Sequence, residues 1–264
     1  MSLLLPHVEN IWQAVAPRLQ GFSVEVLPTI DSTNTELMRR ARAGQPEPVL
    51  LAADEQTAGR GRLGKGWHSQ PGQSLTFSLG LPMAPVDWSG LSLAVGVSVA
   101  ESLHPDIRLK WPNDLWLHGR KLGGILVETA SPGDGGHARR QVVVGVGINI
   151  ARPADQVATA PAGTALPPVP PAGLAEAIMG VTAGETLERV VPALVQDLLT
   201  FEAQGFAAFA QRFARRDALR GLPVVLSDGT RGTAQGVAAD GGLQVLTDDG
   251  MRTVTSAEVS VRPC

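Results

Sequence analysis

The chain has 264 residues, of which 44% are hydrophobic and 18% charged, with a formal net charge of −3. That length gives ample core for one large domain and a small one, and the charge balance excludes a global basic field for nucleic acid, so any anion site has to be local. No apolar run reaches the roughly 18 residues of a membrane span, and the N-terminus lacks a signal-peptide layout. The single cysteine, Cys264, excludes an internal disulfide framework. The expectation is a cytoplasmic protein with no membrane partner.

Residues 7–20 read as an amphipathic helix with Ile11, Trp12, Val15 and Leu19 on one side. The stretch before the first motif is too short for a helix-turn-helix module, so no DNA partner is expected. Phe22 to Leu27 alternates as a strand and leads to Asp31-Ser32-Thr33-Asn34. A helix follows, with Asp31 or Ser32 as N-cap and Gly44 as C-cap. Four short polar side chains exceed what capping requires, and a helix N-terminus also offers N–H donors to a polar ligand.

Val49 to Ala53 reads as a buried strand that delivers Asp54 to Gly66, D-E-Q-T-A-G-R-G-R-L-G-K-G. After Glu55 this stretch holds Arg60, Arg62 and Lys65 and no acid. Glycine lets backbone lie close to a ligand, and arginine grips phosphate or carboxylate through two parallel bonds. The loop is either a solvated basic turn or a site waiting for an anion. Two familiar phosphate motifs nearly match and fail. Gly59, Gly61 and Gly64 spell G-x-G-x-x-G, but turn-rich residues 67–72 follow where a helix is needed; Gly59 to Lys65 spells G-x-x-x-x-G-K, but Gly66 follows where a P-loop needs a hydroxyl.

Gln73 to Leu81 is the next strand and Ser89 to Leu103 a small-residue helix. Ile107 to Glu128, I-R-L-K-W-P-N-D-L-W-L-H-G-R-K-L-G-G-I-L-V-E, reads as a strand, a turn at Pro112-Asn113-Asp114, and a hairpin through His118-Gly119. Gly123-Gly124 inside the return strand indicates a bulge or backbone pressed against a ligand. Lys110 and Lys121 are either edge lysines that block aggregation or ligands. Residues 131–140 form a loop, and Gln141 to Ile150 a core strand that ends at Asn149, a turn residue or a base-reading contact. Apolar residues 141–148 could pair two copies across a two-fold axis, although burial explains them equally well. Residues 151–173 form an irregular Pro/Ala-rich connection, and helices follow at about 185–203 and 205–216. From Leu222 three Asp-Gly turns, at Asp228, Asp240 and Asp249, separate alternating strands of a small antiparallel barrel. The domain boundary is placed near Asp217, giving 1–216 and 217–264. The five histidines show no ligand spacing.

Taken together, Asp31 to Asn34, Gln56 to Gly64 with Trp67, Lys110 to Asp114, Arg120 to Glu128 and Gly145 to Asn149 resemble the biotin protein ligase family (biotin–[acetyl-CoA-carboxylase] ligases), in order and in spacing. The resemblance implies an α+β fold: a mixed or antiparallel-sheet catalytic domain of the biotin/lipoate ligase type, with helices packed on it and a small C-terminal SH3-like β-barrel. It implies the enzyme-only type, lacking the N-terminal DNA-binding domain of longer members. The implied reaction uses ATP and magnesium to turn biotin into biotinyl-5′-AMP, then passes biotin to a lysine of a biotin carboxyl carrier protein of a biotin-dependent carboxylase.

By motif, Ser32, Thr33, Asn34, Gln56 and the backbone of Arg60, Gly61 and Arg62 hold biotin, with Lys121 and Gly124 beside them. Arg62 and Lys121 form the catalytic pair at the reacting carboxylate and α-phosphate. Arg60, Trp67, Lys110, Asn113 and Asn149 complete the adenylate site, with Trp67 beneath the loop and Asn149 toward the adenine. Asn113 and Asp114 orient Lys121, or Asp114 helps to hold magnesium. A lipoate or octanoyl ligase or transferase of the same fold is the nearest rival, and a non-enzymatic small-molecule sensor is a rival of another class.

Overall fold

The computed structural model describes residues 2–130, 139–153, 170–255 and 261–263. Cys264 and most of the two expected loops, 131–138 and 154–169, lie outside the described residues.

In chain order the elements are α1 (Val8–Val15), β1 (Ser23–Ile30), α2 (Thr33–Arg42), β2 (Val49–Gln56), β3 (Gly59–Arg60), β4 (Gly66–Trp67), β5 (Ser74–Met83) and α3 (Leu91–Leu103). Then come β6 (Ile107–Lys110), β7 (Asp114–Leu117), β8 (Arg120–Ala130), β9 (Arg140–Asn149), α4 (Ala183–Gln204) and α5 (Ala210–Ala214). The C-terminal part holds β10 (Pro223–Leu226), β11 (Arg231–Val237), β12 (Leu243–Thr247), β13 (Gly250–Val254) and β14 (Val261–Pro263).

Seven strands form one mixed sheet in the order β1-β2-β5-β9-β8-β7-β6. Only β1 and β2 run parallel; the other neighbours are antiparallel. The alternation along β9 explains how the sheet divides its labour. Val142, Val144, Val146 and Ile148 enter the main core with Leu75, Phe77, Leu79 and Leu81 of β5. There they meet α1, α3 and α4, and each fully buried aliphatic side chain contributes about 1.5–3 kcal/mol. The alternate residues of the same strands are small or polar: Gly145 and Gly147 on β9, Thr76 and Ser78 on β5. That second face carries α2 at one end, where Leu37 and Met38 pack on Val49, Leu51, Ala130 and Val143. Its other end stays open.

The remaining five strands make an antiparallel sheet in the order β13-β12-β11-β10-β14, which with the mixed sheet and its helices meets the expected α+β architecture. The chain enters it alongside the edge strand β6, where Leu109 N donates to Arg216 O at 2.8 Å and Ala218 N to Leu109 O at 2.9 Å. The turn at Asp240-Gly241 reaches back to the large sheet: Trp111 Nε1, fully buried, donates to Gly241 O at 3.0 Å.

Three expectations need correction. The first helix ends at Val15; Leu19 is buried beyond it, and Trp12 stays 45% exposed with its indole N–H donating to Phe22 O at 3.1 Å. The helix expected at 205–216 is a short 3-10 turn followed by the five residues of α5. Pairing of two copies through 141–148 has no free ladder to use, because β9 is hydrogen-bonded by β5 on one side and β8 on the other along those residues.

Candidate active site

A cavity of about 200 Å³ opens on the second face of the sheet, between the first turn of α2, the hairpin β3–β4 and the β6–β7 turn. Its floor is backbone. A Cβ at Gly147 would lie 2.5 Å from Trp67 Cε2, and one at Gly145 would overlap Asn34 Oδ1. Glycine at both positions therefore lets the indole and the amide lie flat on β9. On β8 the register against β7 slips at Leu122, between Lys121 and Gly123, so the bulge lies just before the two glycines, which are themselves paired in register with Leu115 and Asp114. A Cβ at Gly123 would overlap Gly147 O, which makes that glycine a packing requirement, whereas Gly124 lines the cavity.

One end of the cavity is a hydrogen-bond network of buried hydroxyls and amides that ends on the Glu128 carboxylate. Ser32 caps α2, its hydroxyl accepting from Thr35 N at 3.3 Å. Thr33 N donates to Gln56 Oε1 at 2.7 Å, and the hydroxyls of Thr33 and Ser78 share a bond of 2.7 Å. Ser78 Oγ donates to Asn34 Oδ1 at 2.6 Å, and Asn34 Nδ2 donates to Glu128 Oε2 at 3.0 Å. Ser32, Thr33, Asn34 and Ser78 are all at most 3% exposed. Such a network, satisfied within the fold, holds donors and acceptors in fixed directions.

The other end is cationic. Lys121 Nζ donates to Asp114 Oδ1 at 2.7 Å, and Lys110 Nζ sits 3.9 Å from Asp114 Oδ2 and 5.3 Å from the centre of the Trp116 ring. Arg62 reaches across from the hairpin, its guanidinium donating to Asn113 Oδ1 at 3.4 Å. Burial holds the Arg62 guanidinium below its ordinary pKa, while the charge of Asp114 pulls the other way. Asn113 is itself fixed, Nδ2 donating to Ile125 O at 2.8 Å. Trp111-Pro112, just before it, is a cis peptide bond.

The hairpin that roofs the site is ordered by its own backbone: Gly59 pairs with Trp67 and Arg60 with Gly66. Gly61 N donates to Lys65 O at 2.7 Å, and Leu63 at the tip takes φ 56°. Arg60 leans away to Glu128 Oε1 at 3.1 Å and Thr35 Oγ1 at 3.3 Å.

The structure thus gathers Ser32, Thr33, Asn34, Gln56, Arg60, Gly61, Arg62 and Trp67 around one cavity. Lys110, Asn113, Asp114, Lys121 and Gly124 join them there. It does not bring Asn149 to that cavity. The side chain is 5% exposed and its amide donates to Ala172 O at 3.1 Å, tying the end of β9 to the following segment. Sequence reasoning missed Thr76, Ser78 and Glu128 as individual residues. For Thr76 and Ser78 the signal was alternation along β5, where Ser74, Thr76 and Ser78 alternate with Leu75, Phe77 and Leu79; Glu128 shares its face of β8 with Gly124 and Leu126 and carried no such signal.

Fold and cavity together define a protein with one cavity that is hydrogen-bonding at one end and cationic at the other, under a glycine–arginine hairpin. Comparison with known proteins narrows this class. A profile of the "Biotin/lipoate A/B protein ligase family" matches residues 26–149, and one of the "Biotin protein ligase C terminal domain" matches residues 224–262. The "Bifunctional ligase/repressor BirA" of Escherichia coli (strain K12) is 34% identical over 255 residues, covering 93% of this chain and 76% of that protein. The "Biotin--[acetyl-CoA-carboxylase] ligase" of Paracoccus denitrificans is 31% identical over 250 residues, covering 89% of this chain and 98% of that one. Among solved structures, the biotin protein ligase from Aquifex aeolicus in complex with biotin and ATP superposes with a TM-score of 0.70 at 28% identity, covering 91% of this chain and 99% of that chain. The chain belongs to the biotin protein ligases, within the biotin/lipoate A/B protein ligase family.

Proposed function

We propose that this protein is an ATP-dependent biotin protein ligase that makes biotinyl-5′-AMP with release of pyrophosphate, then transfers biotin to a lysine of a carrier domain. The observation that carries this reading is the meeting, in one cavity, of Arg62 and Lys121 from separate segments beside the neutral Thr33–Ser78–Asn34 network. The relatives favour biotin over lipoate as the acid, since the Paracoccus denitrificans protein is named a biotin--[acetyl-CoA-carboxylase] ligase and the C-terminal profile is that of biotin protein ligases.

The reaction sets two anions against each other. Biotin's carboxylate oxygen attacks the α-phosphorus of ATP, a bond to pyrophosphate breaks, and negative charge gathers on the transferring group. Arg62 and Lys121 face the place where that charge develops, and preorganised cations in a partly dry site are what stabilises it. Asp114 and Asn113 hold the two cations in position until the substrates arrive. Ser32, Thr33, Asn34 and Gln56 take the ureido head, and Trp67, lying on Gly147, supports the hairpin from below. Gly61 and Gly124 let backbone approach the ligand. Arg60 contributes backbone to the biotin side, and Lys110 adds charge on the nucleotide side. In the second half-reaction a lysine amine attacks the acyl carbon and AMP leaves. Water would do the same, so the hairpin has to stay closed until the carrier docks.

For magnesium the donor set is poor. Among the described residues no group of three or more His, Cys, Asp or Glu comes together, and both oxygens of Asp114 face lysines. The described residues offer no cage, so magnesium would be held by the phosphates of the nucleotide substrate. Among the described residues no helix is long and apolar enough to cross a membrane.

The test is direct. Incubation with biotin, ATP and a carrier domain of acetyl-CoA carboxylase should release pyrophosphate and add one biotinyl group to a carrier lysine in the mass spectrum. Equal or better use of lipoate or octanoate would overturn the choice of acid, and no pyrophosphate with any of these acids would overturn the reading.

A further inference from the structure

Glu128 has no part in the chemistry above, yet its carboxylate joins the two halves of the site. It stands on β8, where the ladder to Val143 of the central strand β9 fixes its backbone, while β7 pairs only with Arg120 to Gly124 of the same strand. Its Oε2 accepts from Asn34 Nδ2 at 3.0 Å, on the buried wall of the head-group end. Its Oε1 accepts from Arg60 at 3.1 Å, on the hairpin. Asn34 cannot swing away, because Ser78 Oγ donates to its other side at 2.6 Å, and it lies against Gly145, where a Cβ would overlap it.

The hairpin, by contrast, is a two-rung ladder. Its side-chain links to the rest of the fold include Arg60 to Glu128 and Thr35, and Arg62 to Asn113. Arg60 is 48% exposed and Glu128 21%. A pair so exposed is screened by water and holds only weakly. Weak holding suits a roof that must open for each substrate and each carrier. Its second oxygen ties that hold to the residue that lines the head-group end.

We propose that Glu128 is a positioning residue, a latch that keeps the glycine–arginine hairpin down through Arg60 and registers the orientation of Asn34 through its other oxygen. Its effect on adenylate retention rests on the biotin-ligase reading; the latch itself does not.

Glu128→Gln separates the two contacts. The amide oxygen still accepts from Asn34, while the ion pair with Arg60 is lost. In the protein without substrates, tryptic cleavage after Arg62 and Lys65 should speed up by roughly 1.5- to fivefold, the effect of removing one exposed ion pair from an opening equilibrium. The melting temperature should hold within about 2 °C. Arg60→Gln should give the same increase, and the double variant no more than either alone. With biotin and ATP, Glu128→Gln should shorten the lifetime of bound biotinyl-AMP by a similar factor while the KM for biotin stays near wild type. Glu128→Ala, which also frees Asn34, should raise that KM.

Cleavage of Glu128→Gln at the wild-type rate, or additive effects in the double variant, would overturn the latch. Faster cleavage with an unchanged adenylate lifetime would overturn its role in retention. If wild-type protein makes no adenylate, the ligase reading fails, and the cleavage measurements still decide the latch.

Discussion

Gly147→Ala probes the floor of the cavity with a single methyl group. The added carbon would lie 2.5 Å from Trp67 Cε2 and 2.7 Å from Cζ2, against the roughly 3.5–4.0 Å of a relaxed carbon pair, so the indole has to lift by about 1 Å. Gly147 is not at positive φ, and alanine in a strand is by itself about 0.5–1 kcal/mol better than glycine. The strain therefore passes to the hairpin, whose tip at Leu63 is 69% exposed and free to move. Because Arg62 rides on the same hairpin, lifting Trp67 by this distance misplaces the guanidinium, and a misplacement of about 1 Å lowers the rate roughly 100-fold. The expected result is a large fall in kcat/KM for biotin-dependent pyrophosphate release at nearly unchanged Tm. The same substitution in a Trp67→Phe background should matter less, since the fused ring that meets the methyl is gone. Activity within about threefold of wild type, or a collapse of Tm with normal activity per folded molecule, would refute the reasoning.

Lys121→Ala should lower adenylate formation by roughly 10²–10³, the range for loss of one preorganised charge, with folding intact, as a single-turnover assay and a melt together report. Arg62→Gly should act mainly on retention: biotinyl-AMP escapes and labels bystander lysines, read by mass spectrometry of a mixture with an unrelated protein. Hydrogen exchange of residues 58–67 should slow when biotinyl-AMP is bound, and equal protection with and without it would remove the roof from the mechanism. Asp217 carries a pH prediction. Burial pushes its carboxyl above the usual range, and its Oδ2 is buried without a partner. A raised folded-state pKa means that the folded chain binds the proton more tightly, so stability falls as pH rises from the ordinary aspartate value through the raised one. Asp217→Asn should therefore melt higher than wild type at pH 7.5 and lose that advantage as the pH drops toward 4, with no advantage at pH 7.5 the disproving result.

The order of elements was largely legible in the sequence, because the inner strands of the large sheet have one strongly apolar face and two of the helices start on recognisable caps. Ser32 at the cap of α2 and Thr182 with Glu185 at the start of α4 carry capping chemistry that reads locally. What did not read locally was which face of a strand is kept empty. Gln141 to Ile150 looks uniformly apolar, and only the partners on β5 and β8 show that Gly145 and Gly147 form a floor rather than a packed layer. At Asn149 the sequence left a turn residue and a ligand contact both open, because a buried amide at a strand end is as easily satisfied by a passing carbonyl, here Ala172 O, as by a ligand. The composition of the hairpin β3–β4 leaves a solvated basic turn and an anion site both open, and two-residue strands have no periodicity to detect. The pairing of β9 on both sides is a tertiary fact that no single strand announces.

The electrostatics of the cavity turn on a local exception to the chain's overall charge. The net charge is −3, yet Arg60, Arg62, Lys65, Lys110 and Lys121 line one cavity with Asp114 as the single carboxylate among its lining residues. Left to themselves, cations at this density repel, and without substrate the site would loosen. Asp114 between two lysines, and Glu128 on Arg60, offset that repulsion in the empty protein. When phosphate and carboxylate oxygens enter, they compete for the same cations, and the two acids become the groups to be displaced. The same reasoning explains why Asp114 is a poor ligand for a resident metal: it already has a job in the unliganded state. Removing it should therefore hurt the folded, empty protein more than the loaded one, so Asp114→Asn should lower Tm without substrates and recover most of that loss when biotin and ATP are added. A loss of Tm equal in both states would show that the lysines are held by something other than the carboxylate they now face.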